Sequence, residues 1–218
     1  MQMIASLTAI SWILGSWVVL FVLFGGVGFF VQRALGRSIT TMTDWLDSFW
    51  FGWGLVIAVL QLLHFVMPIH NVAFVLFAVM GIVGVLSQRR VLADVVARVR
   101  REVLFGVVLS VVLIWFASRA VAMPTAYDTG FRDIQAVMWI MSYPIVPGLN
   151  NLFSSLAFNQ SSYLYDALLN VSVWSGRAYH IAPGLLYSVF ITQAVWSARQ
   201  LVRNRNTPEQ IQWSWFVA

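Results

Sequence analysis

Three of the eight acidic residues in this 218-residue sequence, Asp128, Asp133 and Asp166, fall within one stretch that begins at Met123 and ends at Asn170. A carboxylate so placed can take the proton of an attacking hydroxyl as a general base, ligate a cation, or cap a helix. The stretch around them is too polar to cross a bilayer and too poor in arginine to be a simple topology-setting loop. In a chain that is apolar nearly everywhere else, an ordered-looking loop of this length marks the place of chemistry or recognition.

The elements that must hold this loop are membrane spans. The sequence is 60% hydrophobic and 10% charged, with a mean hydropathy of +0.81; an ordinary soluble domain carries roughly 25% charged residues. The fold class is therefore all-α, a polytopic membrane protein of about five transmembrane helices with additional interfacial amphipathic helices. The net charge of +5 comes from arginine, with no lysine in the chain. Those arginines sit at the ends of apolar runs, where they set topology and meet anionic lipid headgroups, so membrane lipids and not nucleic acid are the expected partners. No cysteine is present, which removes disulfides, thiolate metal sites and cysteine nucleophiles. The first apolar run has no basic segment before it and reads as a span, not a cleaved signal.

Residues 1–123 are expected to hold four spans. The first runs uncharged from Met1 to Val31, long enough for a transmembrane helix, and its Gly25, Gly26 and Gly28 suit close helix contact. Polar residues 32–47 form a loop with a short interfacial helix capped by Thr41 or Thr43. Ser48–Ser87 is too long for one span and divides at Pro68–Asn71, where proline and asparagine favour a turn. His64, just before that turn, is either hydrogen-bonded between helices or a proton or ligand group. Residues 88–102 carry Arg89, Arg90, Arg98, Arg100 and Arg101, with Val91, Leu92, Val95, Val96 and Val99 at helical spacing. This is the pattern of an amphipathic helix on an anionic leaflet. The fourth span follows, with Arg119 near its far end. Residues 178–203 form a fifth span and 204–218 a tail. Arginine-rich loops stay in the cytoplasm, which places the C-terminus there and the N-terminus and loop 124–177 outside.

Within the loop, Asp128 is a plausible N-cap for a helix through Met141, with Phe131, Ile134, Met138 and Met141 on the side that lies in the membrane interface. Tyr143-Pro144 ends that helix, and Pro147-Gly148 makes a turn. Asn150 caps a short helix through Ala157, and Asn159 caps another from Gln160 to about Val171.

The elements Tyr127-Asp128-Thr129-Gly130, Gln135, Trp139, Val146-Pro147-Gly148-Leu149, Asn151-Leu152, Leu156-Ala157-Phe158-Asn159 and Ser161 resemble a block in a family of large bacterial multi-pass proteins. Those proteins are similar to the glycosyltransferase C superfamily, which takes sugars from polyprenyl-phosphate donors. The resemblance covers about Tyr127 to Tyr163 and implies a catalytic carboxylate on the first large external loop, at Asp128. The chemistry is apt, since transfer to a hydroxyl needs a base on the acceptor and the donor phosphate sits at headgroup depth. Helix capping is the alternative role. In the family pattern a histidine often stands where this chain has Asp133, and another where it has Phe153. Asp133 is then a second acid, a metal ligand, or an ion-pair partner of Arg132 or Arg177. Arg132, Arg177 and His180 are candidates for the donor phosphate, with interface anchoring the simpler role for Arg177 and His180. Asn159 is a further candidate for substrate contact. No cofactor is indicated with certainty; a divalent metal held by Asp128, Asp133 and His180 is conceivable, without the fixed ligand spacing that would define it. Proteins of this kind carry more spans after the loop, so the chain reads as the N-terminal portion of a larger enzyme of the bacterial inner membrane.

The competing reading is a non-enzymatic membrane subunit whose external loop binds a partner or lipid. A transporter is disfavoured because, apart from Arg119 near an end, the spans hold no Asp, Glu or Arg to mark an ion path. No phosphate-binding loop, zinc-binding HExxH helix or nucleophile elbow appears.

Overall fold

The computed structural model describes residues 2–122, 129–152, 154 and 160–202. The described residues contain no strand. They form helices α1 (Gln2–Ala34), α2 (Met42–His64), α3 (Asn71–Ser87), α4 (Arg89–Arg100) and α5 (Val103–Ala120). A π-helical turn at Thr129–Asp133 follows, then α6 (Ile134–Ser142), the single turn α7 (Leu149–Leu152), α8 (Ser161–Asn170) and α9 (Ala178–Val202). Helices α1, α2, α5 and α9 are long and apolar enough to cross a membrane, and α3 with α4, bent by 75° at their junction, make a possible fifth span.

Glycine decides how closely these helices approach. Gly26 of α1 lies against the backbone of Gly81 and Gly84 on α3, and Gly28 against the Ser48 carbonyl and Gly52 on α2. Gly25 leaves room for the Trp45 ring, and Gly184 on α9 for that of Trp17. Helix association in lipid depends on van der Waals contact more than on water exclusion, so small residues at the seam let backbones meet. α1 is thus the central rod, with α2 and α3 on the side of its glycines.

The chain reverses after α1 without a separate interfacial helix. Gly36, at φ +70°, stops α1 in a Schellman motif: the Arg37 N–H donates to the Gln32 carbonyl at 2.9 Å and the Gly36 N–H to Arg33 at 3.0 Å. α2 then starts directly at Met42. Thr41 is its N-cap, and Asp44 completes the capping box by accepting from the Thr41 N–H at 2.7 Å. The short helix expected in residues 32–47 is the first turn of α2 itself. α4 turns away from α3 because its pattern changes at Arg89. Val91, Leu92, Val95 and Val99 pack toward Phe29, Ile39 and Trp45, and the arginines cannot follow α3 into hydrocarbon.

At the opposite end of the bundle the loop is fastened to the α2–α3 turn. Ile69 N–H donates to the Ile140 carbonyl at 3.1 Å, and Ile145 N–H to the His64 carbonyl at 2.9 Å. His64, 3% exposed, lies 3.1 Å through Nε2 from the Tyr143 carbonyl. This contact joins the end of α2 to the loop, while Nδ1 of the same ring is buried without a partner. α6 ends at Ser142, before Tyr143-Pro144, and Gly148 makes its turn at φ +81°. Asn150 lies inside α7 and does not cap it.

The loop is more than a lid. α8 descends among the spans, with Leu164, Leu168 and Leu169 fully buried. The Tyr165 ring meets Phe24 of α1 at 5.8 Å and Trp53, halfway along α2, at 6.2 Å. α6 packs on α8 through Ala136, Val137 and Ile140, while Ile134 and Met138 face outward. Of the side whose periodicity suggested an interfacial helix, Ile134 and Met138 face outward while Met141 packs against the core.

Candidate functional site

The π-helical turn and α8 bring two acidic residues to one locus. The π-helical turn ends at Asp133, whose Oδ1 accepts the Tyr163 hydroxyl at 2.6 Å and the Arg132 Nε–H at 3.0 Å. Such wide turns recur at functional sites because they re-aim the side chains they carry. Tyr163 and Asp166 are three residues apart on α8 and so share a face.

Asp166 is the unusual member. Its Oδ1 is buried without a hydrogen-bond partner. Burial, helped by the nearby Asp133 carboxylate, pushes its carboxyl from the ordinary 3.8 up to about 7. Burial and the bond to Asp133 likewise raise the Tyr163 hydroxyl above its usual range. Burial, with the neighbouring Asp166, raises that of Tyr165 further. The Tyr165 hydroxyl and the Trp53 indole N–H are also buried without partners. Unsatisfied buried polar atoms are uncommon in native proteins and call for an explanation. Two of them, the Tyr165 hydroxyl and Asp166 Oδ1, are neighbours on α8, and others lie along α2, on α6 and on α9. A carboxyl that titrates near neutrality is matched to general acid–base work.

The other candidates are placed differently. Arg132 and Asp133 come together as an ion pair with both side chains about one-third exposed. Arg177 stands over the Trp12 ring of α1 at 5.3 Å. The His180 Nδ1 lies 2.6 Å from the Ala120 carbonyl at the end of α5, and its ring lies against Tyr179. Both contacts tie the start of α9 to neighbouring spans. Asp128 and Asn159 lie outside the described residues. Among the described residues no three His, Cys, Asp or Glu side chains converge as metal ligands.

Tyr163, Tyr165 and Trp53 did not stand out as site residues in the sequence, and Asp166 stood out only as one of the acidic residues of the loop. The one available signal was an aspartate amid the leucines and alanine of Tyr-Leu-Tyr-Asp-Ala-Leu-Leu, costly to bury unless it has work to do. The Tyr163–Asp133 bond should hold α8 to the π-helical turn. Tyr163→Phe is therefore expected to cost about 1–2 kcal/mol, read as faster hydrogen exchange at the α8 amides with the spans unchanged.

The fold and these contacts define an α-helical multi-pass membrane protein with a partly inserted loop helix. The family described as a domain of unknown function (DUF8201) matches residues 11–217, and the chain belongs to that family. No curated protein and no solved structure matches it.

Proposed function

We propose that this protein is a membrane glycosyl-transfer module, moving a sugar from a polyprenyl-phosphate donor to an acceptor hydroxyl at the external face of the bacterial cytoplasmic membrane. The orientation behind this reading, N-terminus outside and C-terminus in the cytoplasm, rests on the arginines. Arg33, Arg37, the α4 cluster and Arg199 share one end of the bundle, opposite the loop. The observation that carries the proposal is Asp166, a buried carboxyl raised to about 7 beside Asp133, Arg132 and Tyr163.

In the reaction the acceptor oxygen bonds to the anomeric carbon as the bond from that carbon to the donor phosphate oxygen breaks. Polyprenyl phosphate leaves with the electron pair, and the acceptor proton passes to a carboxylate. The family resemblance assigns that carboxylate to Asp128, and the geometry of α8 offers Asp166 as a second proton carrier. Arg132, ion-paired with Asp133, suits a phosphate oxygen.

The test is transfer of label from a radiolabelled polyprenyl-phosphate sugar by the full protein in proteoliposomes. Asp128→Asn and Asp166→Asn are each expected to lower the rate at least a hundredfold, in the range of lost general-base catalysis, without loss of membrane insertion. Wild-type rates in both variants would remove the carboxylates from the mechanism. Absence of transfer together with a co-purifying membrane protein would favour a non-enzymatic subunit instead.

A further inference from the structure

At the arginine-bearing end, remote from the loop, α4 and the start of α5 enclose a pocket of about 340 Å³ against α1 and α2. Phe21, Trp45, Leu92, Val95 and Val99 supply apolar walls, with Arg100 and Glu102 also on the lining. The volume lies within the roughly 300–1,000 Å³ typical of small-molecule sites. Val96 and Val103, which also line it, are 40% and 72% exposed, so the pocket is a crevice open along the side that faces the bilayer.

The charges around it are unbalanced. Glu102 is engaged by Arg199 in an ion pair, and Arg199 in turn lies over the Trp196 ring at 4.9 Å. Arg98, Arg100 and Arg101 are exposed and have no ion-pair partner among the described residues. Asp94, also exposed, is the one acidic residue of α4. An apolar crevice below an unpaired cluster of guanidinium groups is complementary to one kind of molecule, a chain of methylenes with a phosphate at its end.

We infer that this crevice is a binding site for one anionic phospholipid, its acyl chain lying between α4 and α5 toward Phe21 and its phosphate held by Arg100 and Arg101. This differs from general attraction of α4 to a charged leaflet, because the crevice requires a defined stoichiometry and is sensitive to its own volume. Arginine suits the phosphate through its forked donors, and each basic residue near a membrane surface contributes appreciably to anionic-lipid affinity. The site is independent of the sugar-transfer reading.

The experiment is native mass spectrometry of the full protein from detergent, with equal amounts of phosphatidylglycerol and phosphatidylcholine of matched chains. One phosphatidylglycerol per protein is expected to survive, in preference to the zwitterionic lipid. The double variant R100Q/R101Q should lower its occupancy roughly thirtyfold, from the attraction per basic residue. Gly106 lines the crevice, and a Cβ added there meets nothing within 4 Å. G106L, with every arginine in place, should therefore expel the lipid by filling its space. V96F, at a position already partly exposed, gives the same reading should G106L not fold. Equal retention of the two lipids, or retention of phosphatidylglycerol at the wild-type level by a folded crevice-filling variant, would overturn the site.

Discussion

At pH 8 the Asp166→Asn protein is expected to melt several degrees above wild type, with the two converging as the pH falls toward 4. The sign follows from the raised carboxyl. In the fold Asp166 titrates near 7, against 3.8 for an ordinary aspartate. Below about 3.8 the group is protonated in both states and burial exacts no ionic penalty. As the pH rises, the unfolded chain ionises first and gains on the folded one, and the loss is complete only when the pH has passed 7. The full effect is at most about 4 kcal/mol, since each unit of pKa shift is worth about 1.4 kcal/mol. Asparagine cannot ionise and escapes the penalty. Thermal melts of both proteins in one detergent from pH 4 to 8 check this. A wild type whose melting point is flat across that range would show that the Asp166 carboxyl is not raised in the fold. A gain in stability joined to a loss of transfer is the trade-off expected where a strained group is kept for function.

The second large effect concerns the seam of α1. Gly28→Ala is expected to destabilise the bundle severely, at or beyond the roughly 1–3 kcal/mol of ordinary overpacking. The added methyl would collide with the Ser48 carbonyl and the Gly52 backbone. A side chain can change rotamer to make room, but a helix backbone yields only if α1 and α2 separate. Gly15→Ala, earlier on the same helix, is the contrast: a Cβ there meets nothing within 4 Å, and the change should be neutral or gain about 0.5–1 kcal/mol from the glycine it removes. Monodispersity after a heat step, followed by size-exclusion chromatography, separates the two. A Gly28→Ala protein as heat-resistant as Gly15→Ala would mean that α1 and α2 are not held backbone to backbone.

The spans were legible in the sequence because lipid imposes a local requirement: a long uncharged run bounded by arginine or tryptophan has few alternatives. The turns at Pro68 and Gly148 were readable for the same reason, since proline and glycine act on their own neighbours. The capping of α2 by Thr41 was also within reach. The path of α8 was not. Residues 161–170 read as a helix, but nothing within ten residues says that Tyr165 will lie against Phe24 and Trp53 inside the bundle. The site inherits that difficulty. Arg132 and Asp133 are adjacent in the chain, so their pairing could be anticipated. The carboxyl of Asp166 is raised by burial among distant elements, which local pattern does not encode. Arg177 and His180 looked suited to phosphate by residue type; their contacts with Trp12 and the Ala120 carbonyl, distant in the chain, could not be read from it.

The bend between α3 and α4 has a consequence for the surrounding bilayer. α3 has 17 residues, which at 1.5 Å each make a rod of about 26 Å, shorter than the roughly 30 Å of a typical hydrocarbon core. Arg89 and Arg90 begin immediately beyond the bend and hold that end at the headgroups, so α3 has no spare length to slide or tilt. The lipid beside it must thin by a few ångströms to meet it, at fractions of a kcal/mol per ångström. A membrane of short acyl chains is therefore the more comfortable host for this protein.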